Sequence, residues 1–100
     1  SSKEGFSDIF DSPDQKHSTS NILILSRDNG LGFSRIGVAI RKKDNKLAVD
    51  RNNIKRKIKG SFLAKVLELP HRDFVVYVKK NLKGKDEELK KDLDKIWAKF

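Results

Sequence analysis

The amino-acid sequence predicts an α/β (α+β) fold, in which one four-stranded sheet is partly covered by three helices as a small single-domain sandwich. Two observations support this class. Strand-like and helix-like hydrophobic patterns alternate along the chain, which is typical of two packed layers. The length of 100 residues suits one modest hydrophobic core. We therefore treat residues 1–100 as one domain.

The N-terminal part of the chain predicts a short helix followed by a loop. Phe6, Ile9 and Phe10 recur at helical spacing, so residues 3–11 are expected to form an amphipathic helix. Residues 14–20 are polar and indicate a loop. The chain begins Ser-Ser rather than with Met, which is compatible with a trimmed or tagged N-terminus.

Two strands joined by a turn are predicted next. The apolar run 21–26 indicates a buried strand, and Asn-Gly within residues 27–32 indicates a turn. Residues 35–41 read RIGVAIR, and this alternation points three β-branched residues toward a core. The opposite face has only Gly37 and Ala39 in its middle and an arginine at each end. Because these two residues are small, another molecule can approach this face closely, which indicates a binding face. The alternative interpretation is an ordinary solvent-exposed face that binds nothing.

The second half of the chain predicts a strand–helix–strand unit and a final helix. Residues 47–49 suggest a short strand, and Asp50 is placed to cap a helix that runs to about Leu69. Residues 73–78 predict a further strand, so the helix lies in a candidate crossover. Residues 86–100 predict an amphipathic helix.

The charge distribution predicts a polyanionic partner. The net charge is +9, and residues 35–59 alone contain ten lysines and arginines against two aspartates. Nucleic acid and an anionic membrane are the two candidates. No apolar run approaches the roughly 18 residues of a membrane span, so we expect a soluble protein. The absence of cysteine excludes disulfides and thiolate metal sites and fits a reducing cytoplasm.

The predicted central helix concentrates charge on one face. With Arg51 placed at 0°, five polar residues share an arc of roughly 140° that borders an apolar stripe. No acidic residue occurs between Arg51 and Lys65. Each like-charged i, i+4 pair destabilises the helix by roughly 0.2–0.5 kcal/mol, which argues against selection for stability alone. The alternative is a solvated, lysine-rich surface. The five residues are Arg51, Asn52, Lys55, Arg56 and Lys59.

The sequence contains no evident catalytic constellation. His17 and His71 are isolated, and a lone histidine in such places is typical of a structural or solvated residue. The acidic residues lie mainly near the N-terminus and in the last helix, where they alternate with lysine. A metallonuclease would need them to converge. We therefore expect neither catalytic nor metal-binding residues in this protein.

At the basic helix the sequence resembles the bacterial ribonuclease P protein subunit. The family signature is Ala-Val, then a basic helix that opens with Arg-Asn-Arg, an apolar residue and Lys-Arg. Asn53 stands at the third position of that signature. The stretch EGFSDIF resembles the family's first helix, and DFVVYVKK resembles a later strand. The residues that match the signature are Ala48, Val49, Arg51, Asn52, Ile54, Lys55 and Arg56.

The resemblance implies a ribosomal S5 domain 2-like fold with an unusual βαβ crossover. It also implies a ribonucleoprotein in which a large RNA is the catalyst. That RNA would hold most of the Mg²⁺ and would hydrolyse precursor tRNA endonucleolytically at the 5′ end of the mature sequence, in the cytoplasm. The protein would bind the catalytic RNA through its basic helix. It would hold the 5′ leader of precursor tRNA in a cleft between its first helix and its sheet.

The residue patterns and the resemblance together assign two sets of site residues. Two alternatives stay open. Phe6 and Phe10 would instead pack in the core, and residues 41–43 would instead be an ordinary exposed basic turn. The expected RNA-binding residues are Arg51, Asn52, Lys55, Arg56, Lys59, Arg41, Lys42 and Lys43. The expected leader-cleft residues are Phe6, Phe10, Gly37 and Ala39.

Other functions remain open at this point. A general RNA-binding or ribosomal-type protein would share the basic helix without a role in tRNA cleavage. A self-sufficient nuclease would cleave without an RNA subunit. Membrane binding is disfavoured, because the core needs the apolar stripe of the basic helix. Phosphate or sulfate anions are expected to bind the clustered cations and to stabilise the folded state.

Overall fold

The structure is a computed structural model that describes residues 13–100. In this range four strands and two helices follow one another along the chain. The helix predicted near residues 3–11 lies outside the described residues, and so do Phe6 and Phe10. The elements are β1 (Gln15–Ser18), β2 (Ile22–Asp28), β3 (Arg35–Ile40), α1 (Ala48–Lys65), β4 (Arg72–Val78) and α2 (Asp86–Trp97).

The four strands form one mixed sheet in the order β1-β2-β4-β3. β2 pairs antiparallel with β1 and β4, whereas β3 pairs parallel with β4. Parallel neighbours need a crossover connection, and α1 lies in the connection from β3 to β4. The predicted small α+β domain with a four-stranded sheet is therefore confirmed.

Two local predictions of secondary structure are wrong. Residues 14–20 contain β1, which pairs Lys16 opposite Leu25 at the edge of the sheet. This strand is mostly exposed on both sides, so it has no hydrophobic alternation to reveal it in the sequence. Residues 47–49 form no strand, because the last two of them begin α1. The crossover therefore starts from β3, and β1 completes the set of four strands.

The ends of α1 also differ from those predicted. Leu47, rather than Asp50, is the N-cap residue, and it makes no side-chain capping hydrogen bond. Asp50 lies in the first turn, where the helix dipole favours an acidic group. The helix ends at Lys65, and Leu69 follows in a turn with its side chain buried in the core.

Both helices contribute to the main hydrophobic core together with one face of the sheet. Ile54, Ile58 and Phe62 anchor α1 there, and each is at most 5% exposed. The ring of Phe62 lies 5.9 Å from those of Phe74 in β4 and Trp97 in α2, measured between centroids. Full burial of such side chains stabilises the fold by about 1.5–3 kcal/mol each. This packing fixes the direction of the charged face of α1.

Candidate nucleic-acid interface

The charged face of α1 is open to solvent over about two helical turns. Asn52, Lys55, Arg56 and Lys59 are all exposed. Within residues 13–100, none of these four side chains has a carboxylate or another hydrogen-bonding partner. The buried stripe holds the helix in place, so the four groups share one surface whose positive charge this part of the chain does not neutralise. The structure therefore brings together four of the predicted RNA-binding residues.

Arg51 lies at the start of the same face and also has a structural role. Its Nη1 donates hydrogen bonds to the backbone carbonyls of Asn45 at 3.0 Å and Lys46 at 2.8 Å. The side chain is half-buried. Neutral carbonyl acceptors leave the guanidinium charge uncompensated, so Arg51 still adds to the positive potential of the face. It fastens the turn at residues 41–46 to the first turn of α1.

The basic turn between β3 and α1 is only partly neutralised. Arg41 donates from Nε to Asp44 Oδ2 at 2.8 Å, and its guanidinium carbon lies 5.6 Å from the centroid of the Tyr77 ring. Surface ion pairs of this kind contribute about 0–1 kcal/mol, so a phosphate can displace the carboxylate at little cost. Lys42 and Lys43 are exposed beside this pair.

The side chains that alternate away from the main core form a second, smaller face of the sheet. Gly37 lies opposite Val75, and Ala39 lies opposite Tyr77, in the parallel β3–β4 pair. Leu25 of β2 extends the face on the other side of Val75. The two predicted cleft-floor residues therefore lie on one face, as expected. Val75 and Tyr77 were not predicted, although the alternation of residues 73–78 carries that signal.

One end of this second face is closed by an ion pair. Arg35 donates to Asp73 from Nε at 2.7 Å and from Nη2 at 2.5 Å, and Asn29 donates to the same carboxylate at 3.0 Å. Burial raises the pKa of Asp73, but the hydrogen bonds from Arg35 and Asn29 outweigh it and hold that pKa below its ordinary value. The bond to Asp73 raises the pKa of Arg35 against an opposing effect of burial.

Asn45 is a buried residue that the sequence patterns did not indicate. It is 1% exposed, its Nδ2 donates to the carbonyl of Lys80 at 2.9 Å, and its Oδ1 accepts from the backbone N–H of Leu82 at 3.1 Å. Because these partners lie 35 and 37 residues further along the chain, no local pattern could reveal the contact. Asn45 holds the basic turn at 41–46 against the turn between β4 and α2.

Residues 13–100 contain neither a cluster suited to a metal ion nor a helix suited to span a membrane. No group of three or more His, Cys, Asp or Glu side chains in this range is arranged to hold a metal ion. His17 lies 3.2 Å from Gln15 and stacks edge-on against Phe100, while His71 is exposed. Neither of the two helices described is long and apolar enough to cross a membrane.

This fold and this surface define a class of protein, a small α+β domain with an exposed cationic helix, which is a feature typical of nucleic-acid-binding domains. Comparison with protein families then identifies the particular family. The family model for Ribonuclease P matches residues 1–100, so the chain belongs to the ribonuclease P protein family. The resemblance of the basic helix to that family is thereby confirmed.

Individual members are similar over nearly the whole chain. The Ribonuclease P protein component of Stutzerimonas stutzeri is 42% identical over 96 residues, which are 95% of this chain and 73% of that protein. The component from Cronobacter sakazakii is 43% identical over 93 residues, or 92% and 77% of the two chains. The RNase P protein from Thermotoga maritima has a TM-score of 0.84 at 25% identity, covering 98% of this chain and 95% of that one. Membership makes this chain a protein subunit of an endoribonuclease complex that acts in tRNA processing.

Proposed function

We propose that this subunit binds the catalytic RNA of ribonuclease P through the charged face of α1 and the turn at residues 41–46. The observation that carries the proposal is the exposed charge of Lys55, Arg56 and Lys59, which has no partner among residues 13–100, on a helix whose apolar stripe is buried in the core. Phosphates of an RNA strand would supply the neutralisation that the described part of the chain lacks. Release of the counterions from that strand would drive association.

The side chains of this face would contact different groups of the RNA according to their chemistry. Arg56 presents a planar fork that matches two phosphate oxygens, whereas Lys55 and Lys59 act as point charges along a backbone. Asn52 offers both a donor and an acceptor, which suits a ribose hydroxyl. Such contacts read shape and charge rather than base sequence.

We further propose that the 5′ leader of precursor tRNA lies along the second sheet face, over Gly37 and Ala39. Neither residue carries a long side chain, so a nucleotide strand can approach the backbone closely there. Tyr77 offers an aromatic ring in the same register, and stacking on such a ring tolerates any base. The contributions of Phe6 and Phe10 stay predictions from the sequence, as do the third helix and the ribosomal S5 domain 2-like arrangement that includes it.

Magnesium would be held mainly by the RNA in this proposal. The described residues 13–100 offer exposed cations and no cluster of carboxylates suited to a metal ion, so they fit phosphates better than Mg²⁺. Free phosphate or sulfate would occupy the same cations when RNA is absent. The proposed compartment is the bacterial cytoplasm, where precursor tRNA is made.

Reconstitution tests the proposal directly. The full chain is mixed with a bacterial catalytic RNA of ribonuclease P and precursor tRNA at a low Mg²⁺ concentration that limits the RNA alone. We expect faster cleavage at the 5′ end of mature tRNA with the protein, and no cleavage by the protein by itself. A general RNA-binding protein would bind without changing the rate, and a self-sufficient nuclease would cleave without the RNA. Either result contradicts the proposal.

The leader contact has a separate test. Ala39→Glu places a carboxylate on the second sheet face, so it should raise KM for a precursor with a leader of several nucleotides. A precursor with a one-nucleotide leader should be unaffected, because its leader does not reach that face. Ala64→Glu makes the same chemical change at an exposed position on α1 and serves as the control. Equal KM changes for both precursors would contradict a leader contact at Ala39.

A further inference from the structure

A second group of cations lies beside α1, on the turn between β4 and α2. Residues 79–85 contain four lysines in seven positions. Lys79 donates from Nζ to the carbonyl of Thr19 at 2.7 Å and so belongs to the fold. Lys80 and Lys83 are exposed, and no carboxylate of the described chain pairs with either. The RNA-binding residues predicted from the sequence do not include them.

A groove of about 370 Å³ separates this turn from α1. Asn53 and Arg56 line it on the helix side, and Lys83 lines it on the turn side. Two acidic groups also reach the groove. Asp86 is already paired with Lys57 at 2.9 Å, which leaves Asp50 as the acid without an ion-pair partner among residues 13–100. Arg56 and Lys83 thus lie on opposite sides of the groove, and neither pairs with a carboxylate of residues 13–100, which suits contacts with the phosphates of one strand.

Buried Asn45 fixes this arrangement. Its side chain bonds to Lys80 and Leu82 of the turn, while its own carbonyl accepts from Arg51 at the start of α1. A single residue therefore connects the basic turn at 41–46, the charged helix and the turn at 79–85. A buried amide with both ends hydrogen-bonded holds its partners in one geometry. The hydrogen bonds of Asn45 therefore connect the three basic segments to one another.

We propose that the RNA-binding surface continues from α1 across the groove onto the turn at residues 79–85. Lys80 and Lys83 contact phosphates of the catalytic RNA there, and Asn45 is the residue that positions them. This proposal rests on the proposed function and extends it to residues outside the signature helix. A membrane is a poorer partner for the turn, because its apolar residue, Leu82, is only 2% exposed and belongs to the core.

The test compares two double variants of the full chain that remove the same charge. Lys80→Ala with Lys83→Ala should weaken binding to the catalytic RNA and lower the slope of log Kd against log salt concentration by about 1.4–1.8 units, or about 0.7–0.9 per phosphate contact. Lys90→Ala with Lys91→Ala removes two exposed lysines from α2 and should leave the slope unchanged. Equal slopes in the two double variants would overturn the proposal.

The role of Asn45 is tested by a double-mutant cycle. Asn45→Ala should lower the salt slope in the native background but not in the chain that already lacks both lysines, because the residue acts through them. A purely structural role would lower the melting temperature without moving the slope in either background. An equal drop in both backgrounds would likewise show that Asn45 does not act through Lys80 and Lys83.

Arg56→Ala separates this proposal from the proposed function. A lower slope for Arg56→Ala, with an unchanged slope for the Lys80 and Lys83 double variant, confines the surface to α1 and overturns only the extension. Unchanged slopes for both variants contradict the proposed function as well. Lower slopes for both support the two proposals together.

Discussion

Charged side chains in this protein fall into two groups that composition alone does not separate. Members of the first pair with acidic side chains of the fold, as in the half-buried contact of Arg35 with Asp73 and the exposed contact of Lys57 with Asp86. Members of the second, such as Lys55 and Lys59, face solvent with no partner in residues 13–100. Arg41 and Arg51 lie between the two groups, because each also has a hydrogen-bond partner within six residues along the chain, and their contacts with RNA stay a prediction.

The Arg35–Asp73 pair gives a pH-dependent prediction at the residue scale. The pKa of Asp73 is lower in the folded chain than its unfolded value of about 3.9. The pair therefore stabilises the fold fully above that value, and its contribution is lost as the pH falls through the folded pKa. Asp73→Asn should lower the free energy of unfolding by about 1.5–3 kcal/mol at pH 7, the range for hydrogen bonds to charged groups.

Urea unfolding at several pH values measures this effect. The difference in the free energy of unfolding between the native chain and Asp73→Asn should become smaller as the pH falls below about 4. Asp44→Asn removes a more exposed ion pair with Arg41 and should cost at most about 1 kcal/mol. A difference for Asp73→Asn that stays constant down to pH 2 would contradict the assigned charge state.

Secondary-structure elements were predictable where hydrophobic periodicity was strong. The apolar stripe at Ile54, Ile58 and Phe62 located α1 correctly, because burial on one side imposes a helical period. β1 has no such period, since it is held at the sheet edge mainly by backbone pairing with β2. The start of α1 was also missed, because Leu47 caps the helix without a side-chain hydrogen bond.

Gly60 gives a prediction at the scale of the helix. It lies in the interior of α1, and a Cβ added there would meet no atom of residues 13–100 within 4 Å, apart from its chain neighbours and the backbone of its own helix. Gly60→Ala should therefore raise the free energy of unfolding by about 0.5–1 kcal/mol, because alanine loses less backbone entropy in a helix. Denaturant titration measures the change. Ala64→Gly, one turn further along the same helix, is the reciprocal control and should lower the free energy of unfolding by a similar amount. If Gly60→Ala lowered the free energy of unfolding, the space around Gly60 would not be open.

The whole molecule combines an apolar core, which stabilises the fold, with a cationic surface on which like charges repel one another. The main core is built from both helices and the sheet, whereas the charged face of α1 and the turns at 41–46 and 79–85 bring like charges together. Mutual repulsion in such a cluster opposes folding. The sequence predicted the cluster on α1, because its spacing is local. It could not predict that the turn at 79–85 lies close to the turn at 41–46, because the long-range hydrogen bonds of Asn45 join the two turns.

Bound sulfate should reduce the repulsion among these cations and so stabilise the folded state. At equal ionic strength, sulfate is expected to raise the Tm more than chloride does, because sulfate binds the cationic cluster of the folded state. A sulfate concentration of 100 times Kd would add about 2.7 kcal/mol to the free energy of unfolding. General salting-out also favours folding in sulfate, so the comparison needs a matched variant. The extra rise should be smaller for Lys55→Ala with Lys59→Ala than for Lys90→Ala with Lys91→Ala. Equal rises in the two variants would exclude specific anion binding at α1.

The most direct test of the central claim is the salt dependence of catalytic-RNA binding in those same two double variants. Loss of Lys55 and Lys59 removes a like-charged i, i+4 pair, which should leave helix stability unchanged or improve it by roughly 0.2–0.5 kcal/mol. Weaker binding therefore cannot be attributed to unfolding. We predict that the slope of log Kd against log salt concentration falls by about 1.4–1.8 units for the α1 variant and stays at the native value for the α2 variant. Identical slopes for the two variants would contradict the claim that RNA binds the charged face of α1.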